Sequence, residues 1–123
     1  MDAPAAVALP PPGHILCALE DIAEGAAGVF EFREGHRRIE IFVLRHRGGV
    51  VGYVNDCPHR HLPLEGMPGR FLTRDGALIQ CVNHGAKFRI ADGVCIAGPC
   101  VGASLRPIAV AVVDGAVVLT SPD

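Results

Sequence analysis

Two short segments concentrate the residues best suited to bind a metal: Cys57-Pro58-His59 and Cys81-Val82-Asn83-His84, with 21 residues between His59 and Cys81. Each offers one cysteine and one histidine in the same order. Thiolate is a soft ligand and imidazole a borderline one, so the set suits a binuclear iron site of mixed ligation, with two thiolates on one iron and two imidazoles on the other. Two loops meeting face to face can each give one ligand to each metal. Pro58 stiffens the first loop, and Gly85 lets the second backbone come close to the metal site.

Such loops need a rigid base, and the flanking sequence supplies one of β type. Ile39, Ile41 and Val43 alternate with Arg38, Glu40 and Phe42, and Val50 to Val54 follow a turn at Gly48-Gly49. Asp75-Gly76, Asp92-Gly93 and Asp114-Gly115 each sit between short apolar runs, a strong local hairpin signal because both residues tolerate positive φ. The last hairpin, Ile108 to Val113 and then Ala116 to Leu119, is apolar on both faces and is expected in the core. No window sustains a 3.6-residue period beyond a turn near Leu19 to Ala23, so the pattern predicts a small all-β barrel or sandwich. Residues 56–102 are rich in Gly, Pro, Cys and His and read as loops inserted between strands of that base. Residues 1–12, ending in Pro10-Pro11-Pro12, read as a flexible leader, leaving one domain over 13–121.

The segments Cys57-Pro58-His59-Arg60-His61-Leu62-Pro63-Leu64 and Cys81-Val82-Asn83-His84-Gly85-Ala86-Lys87-Phe88 resemble the two boxes of Rieske [2Fe–2S] domains, C-x-H and C-x-x-H. The likeness extends through Asp92-Gly93, Gly98-Pro99 and the terminal hairpin. It implies three antiparallel sheets, with a small cluster-binding subdomain inserted in a β base. It also implies one [2Fe–2S] cluster per chain held by Cys57, His59, Cys81 and His84, the thiolates buried and the imidazoles near solvent. A single zinc could use the same donors, but structural zinc sites pair cysteines two to four residues apart, and no such pair is present. A metal-free reading is poorer still. His61 reads as an exposed imidazole beside the cluster, and Cys17 as a core thiol. Cys95 and Cys100 read as buried structural thiols, rather than a redox disulfide, in the proline loop that covers the cluster in this family. His14, His36 and His46 read as surface residues.

Respiratory-chain relatives carry an extra cysteine in each box, joined as a disulfide; Leu62 and Asn83 stand at the matching positions here. Those relatives also place Ser and Tyr hydroxyls where this chain has Ala86 and Phe88. Hydrogen bonds to cluster sulfur stabilise the reduced form, so their absence predicts the low end of the Rieske range, roughly −150 mV rather than +300 mV. The resemblance then implies a soluble ferredoxin-like carrier between a reductase and an oxygenase-type redox protein, without a substrate site of its own. The small subunit of an assimilatory nitrite reductase is the alternative within the family, and a zinc-stabilised β interaction module the alternative outside it. The chain has 11 basic and 13 acidic residues in 123, with no block of like charge, which gives no footprint for nucleic acid or an anionic membrane. Five phenylalanines and one tyrosine, scattered along the chain, offer no base-stacking platform. The N-terminus lacks a basic start and a long apolar run, so a reducing, cytoplasmic setting is expected for the five cysteines.

Overall fold

The computed structural model describes residues 9–56, 64, 71–81 and 85–120. Three antiparallel sheets account for the regular structure of these residues. The central sheet has the order β2 (Ala27–Glu34), β3 (Arg37–His46), β4 (Gly49–Val54) and β8 (Pro107–Ile108). The terminal sheet pairs β1 (Ile15–Ala18), β10 (Ala116–Leu119) and β9 (Val110–Val113). The small sheet, β5 (Leu78–Gln80), β6 (Lys87–Arg89) and β7 (Cys95–Ala97), enters the chain between β4 and β8, neighbours in the central sheet. An insert between two paired strands is the expected arrangement.

Strand β3 follows from its sequence. Its β-branched and aromatic residues suit a pleated surface, and Ile41, Phe42, Val43 and Leu44 are all buried because both faces of the central sheet are covered. Phe42 and Leu44 face the core shared with the small sheet, together with Tyr53, Leu64, Phe71, Ile79, Phe88 and Leu105. Val43 packs with Ile22 and Val117, and Ile41 with Val54 and Leu119, on the side of the terminal sheet. Phe42 stacks on Phe71 with ring centroids 4.1 Å apart and planes 8° from parallel. Each such fully buried side chain contributes about 1.5–3 kcal/mol through surface removed from water.

The turns differ from expectation in one place. The β3–β4 reversal falls at Arg47-Gly48, one residue before Gly48-Gly49, since His46 pairs with Gly49. Arg47 adopts φ +53°, a left-handed conformation uncommon for a residue other than glycine. The Glu24 carboxylate compensates by accepting the Arg47 and Gly48 amides at 2.6 and 3.2 Å. These bonds also hold the Glu24 carboxyl below its ordinary pKa. Asp114-Gly115 forms a two-residue turn with φ +51° and +78°, and the other two Asp-Gly pairs lie in longer reversals. The expected 3.6-period turn is a short 3-10 helix, Leu19–Asp21.

The terminal hairpin is only half in the core. The run from Ile108 splits at Ala109, with Ile108 pairing in the central sheet and Val110 onward in the terminal one. Val117, Val118 and Leu119 are buried, but β9 is an edge strand whose Val112 and Val113 stay exposed. Alternating apolar residues cannot by themselves distinguish an edge from a centre. No helix among the described residues is long and apolar enough to cross a membrane.

Candidate metal centre

Cys81 follows β5 directly and is fully buried, in the core that joins the small sheet to β3 and β4. Its amide donates to the Ala86 carbonyl at 2.8 Å, extending the β5–β6 pairing by one step beyond Gln80↔Lys87. The described part of the hairpin therefore closes at Cys81 and Ala86. Gly85 takes φ +72°, and a Cβ there would meet no protein atom within 4 Å. Among the described residues its glycine is required by the left-handed turn. Among the described residues, close backbone-to-backbone approach is made by a different glycine. Gly98 has φ +94°, and a Cβ there would lie 2.7 Å from the Cα of Ala86. The Gly98-Pro99 turn thus rests directly on the backbone at Ala86, immediately before β6.

The first segment leaves the end of β4, and Asn55 fixes both of its ends. Asn55 is the one buried polar residue of the described core, at 7% exposure. Its Nδ2 donates to Glu40 Oε1 at 2.8 Å, and its Oδ1 accepts the amide of Leu64 at 2.8 Å. Its backbone amide donates to the Glu40 carbonyl at 2.8 Å. Asn55 precedes Cys57 by two residues and Leu64 follows His59 by five, so one side chain ties together the two ends of the stretch that contains both expected ligands. Leu64 is wholly buried. It anchors the end of that stretch in the core. Pro99 is exposed, and Ile96 and Val101 are exposed apolar residues on the same loop.

A further tie comes from Tyr53, next to the end of β4. Its hydroxyl donates to the Ile90 carbonyl at 2.6 Å, joining the central sheet to the β6–β7 reversal. Burial, with a smaller effect of the Asp92 charge, pushes the phenol up to about 12. This is the only tyrosine in the chain, and its hydroxyl is committed to a backbone carbonyl. Ala86 and Phe88, at the hydroxyl-bearing positions of the respiratory relatives, are buried. Asp92 closes the same reversal, accepting from Arg89 Nη2 at 2.7 Å and from the Val94 amide at 3.1 Å.

Of the four expected ligands, Cys81 is among the described residues; Cys57, His59 and His84 lie outside them, as do His61, Leu62, Pro63 and Asn83. With those residues set aside, no group of three or more His, Cys, Asp or Glu side chains converges among the described residues. Cys17 is half-buried between core and surface, and burial, then the Asp21 charge, raises its thiol pKa. His14 and His36 are exposed, while His46 is half-buried beside the β3–β4 turn. Sequence reasoning passed over Asn55 and Tyr53. The signal for Asn55 was present: a lone polar residue ending the apolar run Val50 to Val54, just before a ligand box.

The described donor environment suits an iron–sulfur group. Cys81 presents a buried sulfur at the mouth of a closed hairpin, within a chain that also supplies one thiol and two imidazoles at the family spacing. The family model for the Rieske [2Fe-2S] domain matches residues 14–116. The chain belongs to the Rieske [2Fe–2S] domain family. A comparison with curated proteins finds no match. Among solved structures, it is similar to the ferredoxin of carbazole 1,9a-dioxygenase from Nocardioides aromaticivorans IC177, with a TM-score of 0.70, 23% identity, and coverage of 90% of this chain and 98% of that one. It is similar also to the Sphingomonas yanoikuyae B1 ferredoxin, at 0.65 and 25% identity over 88% of this chain and 97% of that one. The terminal oxygenase of the Nocardioides dioxygenase matches at 0.64 and 21% identity, over 89% of this chain but 30% of the oxygenase. The three sheets of this Rieske protein are thus the fold of these ferredoxins.

Proposed function

We propose that this Rieske protein is a one-electron carrier of low potential, a ferredoxin working in the cytoplasm between a reductase and an oxygenase. One [2Fe–2S] cluster would be held by the Cys57 and Cys81 thiolates and the His59 and His84 imidazoles. When bound, the cluster supplies a reversible one-electron couple. The chain's own residues position and shield it. Asn55 and Leu64 fix the first ligand loop, Cys81 and Ala86 close the second, and Gly98 seats the proline turn against it. The observation that carries the reading is Cys81, fully buried at the closed mouth of a hairpin, inside the span matched by the family.

The low potential is supported by side-chain chemistry. Ala86 and Phe88 have no hydroxyl, and the Tyr53 hydroxyl donates to the Ile90 carbonyl. With fewer hydrogen bonds to sulfur the reduced, more negative cluster is less stabilised, which suits a carrier filled by a nicotinamide-dependent reductase. The oxygenase partner is supported by similar chains, which include the ferredoxin of carbazole 1,9a-dioxygenase and others from complexes of oxygenase and ferredoxin. The test is stopped-flow reduction by a flavin reductase, followed by mixing with an oxidised Rieske oxygenase. Transfer of one electron per chain in each direction is expected. Failure to accept electrons from a reductant at the low end of the Rieske range, with the cluster intact, overturns the proposal.

A further inference from the structure

Cys95 and Cys100 take no part in the proposed ligand set, yet their sulfurs lie 3.1 Å apart. Both are buried, Cys95 at 2% exposure and Cys100 at 8%. The backbone holds them in this relation. The Cys95 amide donates to the Ala103 carbonyl at 2.9 Å, the Ala103 amide to the Cys100 carbonyl at 2.9 Å, and the Gly102 amide to the Cys95 carbonyl at 3.3 Å. Cys95 Sγ also lies 3.2 Å from the Ala97 carbonyl oxygen. A disulfide sets its sulfurs about 2.05 Å apart, so bond formation needs a closing movement of roughly 1 Å. Side-chain rotation within an already closed loop is suited to supply it. Two small apolar residues would fill the same space without placing sulfur against sulfur.

The pair also occupies a consequential place. The turn between the two cysteines contains Gly98, whose backbone rests on Ala86 in the second ligand hairpin. Cys100 is the more exposed of the two, and it adjoins Val101, which is 64% exposed. Of the two, Cys100 lies nearer the surface a small oxidant would enter from.

We infer that Cys95 and Cys100 form a reversible dithiol–disulfide pair that locks the 95–103 loop onto the second ligand hairpin. The oxidant is a hydroperoxide. With hydrogen peroxide, the Cys100 sulfur attacks one oxygen, the O–O bond breaks, and the other oxygen leaves as water with the thiol proton. The sulfur becomes a sulfenic acid. The Cys95 sulfur then attacks Cys100 Sγ, the S–O bond breaks, and a second water carries off the Cys95 proton. Two thiols and one peroxide thus give one disulfide and two waters. A dithiol reductant returns two electrons and two protons and reopens the bond.

The locking part rests on the carrier reading above, whereas the bond itself does not. The test treats the anaerobically purified holoprotein with limiting hydrogen peroxide, alkylates all remaining thiols under denaturing conditions, and maps the peptides by mass spectrometry. A peptide lighter by two hydrogens, linking Cys95 to Cys100 and restored by dithiothreitol, is expected. Cys100→Ser should leave Cys95 open to alkylation, and Cys95→Ser should strand Cys100 as an oxyacid. Full alkylation of both cysteines in treated wild type overturns the inference, as does oxidation of either without the cross-link or a bond from either to Cys17. Iron loss to a chelator should slow severalfold in the oxidised form; an unchanged rate overturns the locking role. Iron and sulfide assays on the same sample separate the readings, since a cross-link without iron removes the carrier proposal and leaves the pair.

Discussion

Replacing Asn55 by alanine removes the acceptor used by the Leu64 amide and the donor used by Glu40, at the base of the first ligand loop. Leu64 is wholly buried, so its amide would lose its side-chain acceptor away from water. Such an orphaned donor costs about 1–3 kcal/mol, and the lost contact to the Glu40 carboxylate adds about 1 kcal/mol. The sum is about 2–4 kcal/mol, a large part of the about 5–15 kcal/mol that separates folded from unfolded domains. At a urea slope of about 2 kcal/mol per molar, the unfolding midpoint falls by about 1–2 M. Because the loop carries Cys57 and His59, iron content in the purified variant should fall as well. Asn55→Asp keeps an acceptor for Leu64 but sets a second carboxylate against Glu40, so it should lie between wild type and Asn55→Ala. Urea unfolding followed by circular dichroism, with iron analysis of the same preparations, measures both effects. An Asn55→Ala protein with an unshifted midpoint and full iron would refute the assignment of Asn55 as the residue that fixes the loop.

Three further outcomes are expected. The Tyr53 phenol is raised from 10.0 to about 12 in the folded chain, so the stability it contributes is present below pH 10 and lost as pH rises through about 12. That loss is worth on the order of 3 kcal/mol, and Tyr53→Phe should flatten this part of the pH profile in denaturant titrations while costing about 1 kcal/mol at neutral pH. Gly98→Ala combines a φ of +94° with a Cβ 2.7 Å from Ala86 Cα; it should destabilise by about 1–3 kcal/mol and speed iron loss to a chelator, while Gly102→Ala, with open space around it, should not speed that loss. Ala86→Ser should raise the midpoint potential by offering a hydroxyl beside the second ligand hairpin, and a folded variant with a lowered potential in voltammetry would count against the hydrogen-bond account.

How much of this was legible in the sequence differs by element. The strands and the three Asp-Gly reversals could be read because local propensity and tertiary need agree there: β3 is apolar on both faces and is covered on both. The terminal hairpin misled because periodicity registers apolar character, whereas burial depends on neighbours. Nothing in Val110 to Val113 indicates that β9 ends a sheet with Val112 and Val113 outside. The Arg47-Gly48 turn was missed by one residue because Glu24, 23 residues away in sequence from Arg47, stabilises it. The family could be read from the two Cys/His boxes because metal chemistry restricts residue type and spacing so narrowly, and the family match spans both boxes. The residues that support them could not, since Asn55 joining Leu64 and Tyr53 joining Ile90 are contacts across 9 and 37 positions. The same holds for Cys95 and Cys100, whose spacing suggested burial while only the fold brings their sulfurs to 3.1 Å.

The central claim is that two thiolates and two imidazoles of this chain hold a two-iron cluster. Pulsed electron paramagnetic resonance on the dithionite-reduced protein tests it most directly, because the unpaired electron senses the nitrogens bound to iron. The account predicts a paramagnetic signal coupled to two histidine nitrogens, with about two iron and two sulfide per chain, lost in both His59→Ala and His84→Ala. A reduced protein that gives no signal and contains zinc, or one whose signal shows no nitrogen coupling, would contradict it.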